Sequence, residues 1–181
     1  MSTIRWMTMI GFLLFGIVSC ATAPKTAEGR RDLEARADAT LHTMIQKDLG
    51  LRDVLNSAEG YVVFPEIGKG GVIVGAAYGR GVLYERGQKI GFVELNQGSI
   101  GAQLGAQTFA ELIVFQDRNE MEKLTGGHFK LGAGISAIAL TTGAAAAADF
   151  TAGTAVFVMP RGGLMVDVSV SGQQLNFRSR G

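Results

Sequence analysis

The single cysteine of this chain, Cys20, is the residue whose position points most directly to chemistry. A short basic start that includes Arg5 is followed by a mostly apolar run from Trp6 to Val18, and the cysteine comes directly after it. A basic start and a short apolar run that ends in small residues are the parts of a secretory leader. The run is shorter than the about 20 residues that a membrane-spanning helix needs. The sequence therefore predicts export, with cleavage of residues 1–19.

The residues around the predicted cleavage point suggest a lipid anchor. Residues 17–20 resemble the bacterial lipobox, in which aliphatic and small residues precede an obligatory cysteine. The resemblance implies that the Cys20 thiol takes a diacylglyceryl group and that the new amino terminus is acylated, and two or three acyl chains anchor a protein stably. The alternatives are an ordinary leader with a chance cysteine, or a buried thiol. In a Gram-negative host, Ala21 in place of aspartate favours the outer membrane, facing the periplasm.

Three basic residues beside glycines are the candidate binding side chains: Lys69, Arg80 and Arg161. Glycine allows close approach of the backbone to a phosphate, and successive N–H groups can form a nest for an anion. We therefore expect these residues to contact lipid head groups, unless they only keep strand ends soluble and prevent edge pairing. Lys69 and Arg161 belong to two similar segments, residues 62–74 and 155–166, which arose either by duplication or by chance.

Motifs of catalysis and metal binding are largely missing from the sequence. The two histidines, His42 and His128, lie on segments of different type and have no metal-ligand spacing. A loose G-x-G-x-x-A pattern at residues 132–137 is followed by too little chain for a dinucleotide-binding fold. The carboxylates are scattered, so nothing selects an acid and a base. We expect no enzymatic activity, no metal and no cofactor.

Charge and length limit the remaining classes of protein. The predicted leader contains one of the 17 Lys and Arg residues, so the rest of the chain balances its 16 Asp and Glu residues. A nucleic-acid binder would show a basic excess, so we do not expect that partner. The remaining length suffices for one domain with a core. One cysteine leaves an exported domain without an internal disulfide.

The apolar pattern predicts helices first and strands afterwards. Residues 20–31 are small, polar and charged, which is typical of a flexible tether. Helical periodicity runs from Asp32 to Leu49, and a second short helix is predicted over residues 52–57. After Gly60 the sequence indicates strands separated by turns. A first strand is expected to stop at Pro65, turns are expected at residues 85–88 and 96–98, and a later strand is expected over residues 129–140, with one short helix over residues 120–124.

Glycine is the most unusual feature of the strand region. The chain has 26 glycines and three prolines, and many of the glycines lie within apolar segments. Gly71, Gly75 and Gly79 are spaced by four, which in a strand places them on one face. Such a notch admits a crossing strand, tight coiling of the sheet, or a flat apolar ligand. We predict an α+β fold, with N-terminal helices packed on a strongly curved, mainly antiparallel β-sheet or partly open barrel.

Six blocks follow one another between Ala58 and the C-terminus: residues 58–65, 68–75, 78–82, 98–107, 129–134 and 161–164. With these blocks in this order, the segment resembles the SYLF domain family. The resemblance implies a lipid-contacting domain. Eukaryotic members bind phosphoinositide membranes and, in yeast, actin, whereas bacterial members are mostly exported lipoproteins for which lipid binding is inferred.

These observations together predict a leader at residues 1–19, a tether at 20–31 and a SYLF-like domain at 32–181. The predicted function is that of a membrane-anchored periplasmic lipoprotein that binds phospholipids without catalysis. The alternative is a structural or interaction protein of the cell envelope, which contacts peptidoglycan or a partner protein.

Overall fold

A computed structural model describes residues 24, 26–70, 74–100, 107–162, 170 and 172–180. The predictions for Cys20, for the leader and for Gly71 lie outside these residues. The side chain of Lys69 and the surroundings of Gly75 also lie outside the described part, although both residues have a backbone position in a strand.

The first helix begins earlier than the sequence pattern predicts. α1 spans Ala27–Lys47, and the side-chain oxygen of Thr26 accepts a hydrogen bond from the Gly29 N–H at 3.1 Å. Such a cap satisfies one of the free N–H groups at a helix start. Residues 27–31, which we assigned to the tether, are therefore helical, and the assignment was wrong there. Thr26 was the signal for this start, three residues ahead of the capped N–H.

The remaining elements form an eight-stranded sheet with two further helices. In chain order they are α2 (Leu51–Ser57), β1 (Gly60–Gly70), β2 (Val74–Glu85), β3 (Gln88–Ile100), β4 (Gln107–Phe115), α3 (Arg118–Thr125), β5 (His128–Lys130), β6 (Ala137–Ala139), β7 (Thr154–Gly162) and β8 (Gln174–Ser179). The strand order is β5-β8-β3-β2-β1-β4-β7-β6, and every neighbouring pair is antiparallel except β6 and β7. The α+β class and the mainly antiparallel sheet are confirmed.

Several strands are longer than predicted. β1 was expected to stop at Pro65 but continues past it, because its register shifts between Val63 and Glu66 against β2. Proline has no N–H to donate, and a bulge is a place where a sheet tolerates that loss. β3 likewise continues through residues 96–98, where we expected a turn, because Asn96 is paired with Tyr78 of β2.

One predicted strand is instead two. Residues 129–140 form the short strands β5 and β6, with turns between them in which Gly132 accepts a hydrogen bond from the Ile135 N–H at 3.2 Å. β5 pairs with β8 at one edge of the sheet, and β6 pairs with β7 at the other. The outermost strand at each edge is therefore only three residues long.

The sheet is buried on both faces. The outer face packs against α1, α2 and residues 140–150, and its buried side chains include Tyr61, Val63, Val82, Tyr84, Phe92, Leu112 and Phe157. The inner face packs against α3 and residues 129–135, and its buried side chains include Val62, Phe64, Ile67, Phe109, Ile113, Val156, Val158 and Leu175. The chain therefore builds two apolar layers on one strongly curled sheet, which has the shape of a half-barrel.

Glycines on the inner face allow this curl. A Cβ at Gly81 would lie 2.8 Å from the Phe64 ring and from the Val63 carbonyl oxygen. A Cβ at Gly79 would lie 2.7 Å from Ile67 Cγ1. Where the notch predicted from the glycine spacing is described, at Gly79, neighbouring side chains of the sheet fill it.

Candidate functional site

A cleft of about 480 Å³ opens between the first turns of α1 and strands β1 and β2. Its lining combines charged, apolar and glycine residues: Pro24, Gly29, Asp32, Leu33, Arg36, Pro65, Glu66, Gly68, Tyr78, Gly79 and Arg80. A Cβ at Gly68 would meet nothing within 4 Å, so the cleft is open beside β1.

The bulge of β1 and the alternation of β2 place the charged groups of this cleft. The shifted register at Pro65 leaves Glu66 exposed and within 2.9 Å of the Arg36 guanidinium of α1. Arg80 lies two residues before Val82, whose side chain is on the outer face, so Arg80 points to the helix side. The cleft thus collects its charges from a helix turn and from two neighbouring strands.

Arg80 is the residue of the cleft that is best placed to take an anion. It is half-buried, and in the register it lies opposite Glu66 on one side and Glu94 on the other. Within the described ranges, Arg80 forms no salt bridge. With Arg36 and Asp32 nearby, the lining offers two guanidinium groups and two carboxylates.

Two of the three predicted binding residues, Arg80 and Arg161, lie apart. Arg161 donates a hydrogen bond at 2.7 Å to Oγ1 of the buried Thr40, so its side chain is tied to α1. Arg80 lies on β2 and Arg161 on β7, with β1 and β4 between them. Three strand spacings correspond to about 14 Å along the sheet. The prediction that Lys69 binds a head group stays a prediction, because its side chain is outside the described part.

The two similar segments nevertheless meet at one end of β4. Gly68 of β1 and Gly162 of β7 are both paired with Thr108, and β1 and β7 flank β4 in the same direction. Each segment also shifts its register near its proline, Pro65 or Pro160. The two segments are therefore similar in sequence and also occupy equivalent positions beside β4.

Sequence reasoning missed Arg36. It lies on a helix face whose charges appear mixed, and its partner Glu66 is 30 residues away. Only the packing of α1 beside the bulge at Pro65 brings the two together. No local pattern contains both features.

A second polar site is buried in the inner face. The Glu111 side chain is fully buried between Phe64 and Val158, its neighbours on β1 and β7. Gln173, also fully buried, donates a hydrogen bond from Nε2 to Glu111 Oε2 at 3.0 Å. Burial raises the pKa of Glu111 to about 8, and the hydrogen bond from Gln173 opposes this shift. The carboxyl group is therefore uncharged at neutral pH.

The two histidines lie on different elements of the fold. His42 is exposed on α1, whereas His128 is in β5, and the side chain of His128 is outside the described part. Among the residues that the structure describes, no group of three or more His, Cys, Asp and Glu residues could hold a metal ion. None of the helices in the described ranges is both long and apolar enough to cross a membrane.

Comparison with known proteins gives two matches. Residues 96–180 match the family model described as "Ysc84: Las17-binding protein actin regulator", which is the SYLF family. "Beta cell expansion factor A" of Aeromonas veronii is 23% identical over 153 residues, which cover 83% of this chain and 58% of the relative. The chain thus spans less than two thirds of the length of this relative. The resemblance predicted from the sequence is confirmed.

Proposed function

We propose, on the premise that residues 96–180 of this chain belong to the SYLF family, that it is a membrane-anchored lipoprotein which binds phospholipid head groups without catalysis. Lipid binding is the property for which the family is known. The observation that supports the proposal here is the cleft at the start of α1, with the half-buried Arg80 in its wall.

The place of the cleft along the chain supports a membrane role. Cys20 precedes the cap residue Thr26 by six residues. Six residues span at most about 20 Å. If Cys20 carries the acyl chains, the start of α1, which lines one end of the cleft, stays within this distance of the bilayer surface.

The charges of the cleft suit a zwitterionic head group. The phosphate of such a lipid is an anion that a guanidinium binds with two parallel hydrogen bonds, which is the geometry that Arg80 offers. The cationic amine of phosphatidylethanolamine fits the carboxylate of Asp32, which lines the same cleft. A purely anionic head group would satisfy Arg80 but would meet the carboxylates of Asp32 and Glu66.

Vesicle flotation tests this proposal. Protein that begins at Ala21, and so lacks the anchor, is mixed with vesicles of phosphatidylcholine alone, or with added phosphatidylethanolamine or phosphatidylglycerol. We expect flotation with phosphatidylethanolamine, and we expect Arg80→Gln to remove most of it. Arg52→Gln is the matched control, because Arg52 is an exposed arginine on α2 that does not line the cleft. If the protein floats with none of these vesicle compositions, the binding proposal is rejected.

The anchor requires its own test. Cells that produce the full chain are fed a radiolabelled fatty acid, and the protein is recovered from membrane and soluble fractions. We expect label in the membrane-bound chain, and we expect Cys20→Ser to remove both the label and the membrane association. If the wild-type chain carries no label, the lipoprotein part of the proposal is wrong. The flotation experiment would still test head-group binding in the cleft.

A second function is favoured by the words of the family description, which name binding to a protein. In this alternative, the chain is a structural or interaction protein of the envelope that contacts peptidoglycan or a partner protein. Cross-linking in intact cells separates the two functions. Adducts with protein or peptidoglycan that persist in Arg80→Gln would favour the alternative.

A further inference from the structure

We propose that Glu111 and Gln173 form a proton-controlled clasp, which holds the half-barrel closed across its interior. The clasp joins β4 to the segment that closes the inner face. This closing segment consists of residues 128–135 together with residues 172–173.

The geometry of the sheet shows that the pair bridges the interior. Gln173 directly precedes β8, and strands β3, β2 and β1 separate β8 from β4 in the sheet. Four strand spacings correspond to about 19 Å along the sheet. Yet Gln173 Nε2 and Glu111 Oε2 are 3.0 Å apart, so the contact runs across the curl.

Backbone hydrogen bonds tie Gln173 to the closing segment. The Leu131 N–H donates to the Gln173 carbonyl at 3.0 Å, and the Gly172 N–H donates to the Leu131 carbonyl at 3.2 Å. Leu131 and Ile135 in turn pack into the inner core. A change at Glu111 therefore acts on residues 128–135 as one unit.

The surroundings of Glu111 leave its charge without compensation. Within the described ranges, Glu111 is the one ionisable side chain buried in the inner face: the other buried polar residues there are Gln97, Thr154 and Gln173, and the rest are apolar. Among the described residues, no charged group shifts the pKa of Glu111, and burial is the cause that raises it. Glu111 Oε1 and Gln173 Oε1 also lack a hydrogen-bond partner within the described ranges. An ionised Glu111 in this place favours any movement that admits water.

The pH dependence of opening follows from the two protonation equilibria. In the closed state burial raises the pKa of Glu111 to about 8, whereas an exposed carboxyl group keeps its ordinary value of 4.5. The open state therefore binds fewer protons than the closed state at every pH between these values. The equilibrium constant for opening rises by about tenfold per pH unit in that range and levels off above it.

Opening exposes the apolar interior, and this gives the proposed lipid-binding protein a surface for acyl chains. That consequence rests on the proposed function. The clasp itself is measured without lipid, so it can fail or succeed independently of the head-group cleft.

Hydrogen exchange followed by mass spectrometry tests the clasp. The protein from Ala21 and its variant Glu111→Gln are compared at a series of pH values from 5 to 9. Hydroxide catalyses amide exchange equally in both proteins, so the ratio of their exchange rates at each pH removes this effect. Glutamine has the size of glutamate and no proton to lose, so it keeps the half-barrel closed. Glu85→Gln, in β2, is the control for loss of a carboxylate elsewhere.

We expect the ratio of wild-type to variant rates in the closing segment to rise by about tenfold per pH unit and to level off near pH 8. Low concentrations of urea separate local opening from global unfolding, because local opening exposes less surface. Exchange in the closing segment should therefore depend less on urea than exchange in residues 60–67 of β1, and Glu85→Gln should behave as wild type. A flat ratio in the closing segment would overturn the proposal. An equal dependence on urea in both regions would also overturn it, because Glu111 would then affect only the stability of the whole fold.

Discussion

The outer face of the sheet holds α1 through a row of polar contacts, whereas the inner face packs apolar side chains around one uncharged carboxyl group. On the outer face, the contacts join Arg36 to Glu66, Asp38 to Tyr84 and Lys89, Arg161 to Thr40, and Arg180 to Glu34. They reach five different parts of the sheet from one helix. On the inner face, Glu111 is the one ionisable side chain of the described residues that is buried among aromatic and aliphatic groups, and Gln173 donates a hydrogen bond to it.

The two faces stabilise the fold in different ways. Exposed ion pairs contribute only about 0–1 kcal/mol each, so α1 is held by many weak contacts in addition to its buried Leu33, Ala37 and Met44. The inner face gains its stability from burial, which leaves little tolerance for a charge or a cavity. We therefore expect changes on the outer face to tune the cleft, and changes on the inner face to affect folding.

The largest effect should come from a cavity in the inner face. Phe109 is fully buried, and Phe109→Ala should lower the free energy of unfolding by about 3–5 kcal/mol. Unfolding in urea followed by circular dichroism measures this value. A loss below about 1 kcal/mol would contradict this assignment, because burial in the inner face would then contribute little to stability.

Glu111→Gln should stabilise the fold, and the gain should depend on pH. Burial raises the folded-state pKa of Glu111 to about 8, so the native chain binds a proton that the unfolded chain has lost above 4.5. Wild-type stability therefore falls as pH rises from about 4.5 to about 8, and the variant escapes this loss. The gain should be near zero at pH 4 and about 3 kcal/mol at pH 7. Urea unfolding at both pH values gives the difference, and a gain that is independent of pH would contradict the buried proton.

Two glycines of β3 offer a matched pair of smaller effects. A Cβ at Gly91 would lie 2.5 Å from the Arg178 carbonyl oxygen, whereas a Cβ at Gly98 would meet nothing within 4 Å. Gly91→Ala should therefore lower the free energy of unfolding by about 1–3 kcal/mol. Gly98→Ala should change it little. Thermal unfolding of the two variants compares them, and equal losses would show that close approach is not the reason for glycine at position 91.

The smallest effect on stability should come from the outer face. Arg36→Gln breaks a salt bridge whose side chains are 46% and 51% exposed, and it should change the free energy of unfolding by less than about 1 kcal/mol. The same variant should still alter flotation with phosphatidylethanolamine vesicles, because Arg36 lines the cleft. A large loss of stability together with unchanged lipid binding would reverse the roles that we assign to the two faces.

Local patterns predicted the element types but not the lengths of the strands. The helical period before Gly60, the turn at Arg86 and Gly87, and the short helix that became α3 were all visible in the sequence. The continuation of β1 past Pro65 was not visible, because a proline usually ends a strand. Only the pairing of β1 with β2 and β4 shows the bulge that accommodates the proline.

The candidate sites were less predictable than the fold. Arg80 was predicted from its glycine neighbours, and the structure places it in the wall of a cleft. Glu111 was one of several scattered carboxylates, and nothing nearby in sequence distinguished it. Its burial depends on which face of β4 it occupies, and its partner Gln173 is 62 residues away. Contacts of this separation are set by topology, which a single sequence does not display.

The outermost strands, β5 and β6, each contain only three residues. A long free border would offer a row of N–H and C=O groups on which another copy could add as a further strand. Molecules tethered to a bilayer diffuse in two dimensions and collide often, which makes such growth a particular danger. If the chain is anchored as we propose, these short outer strands limit the growth of fibres on the lipid surface, because they offer an arriving copy few groups to pair with.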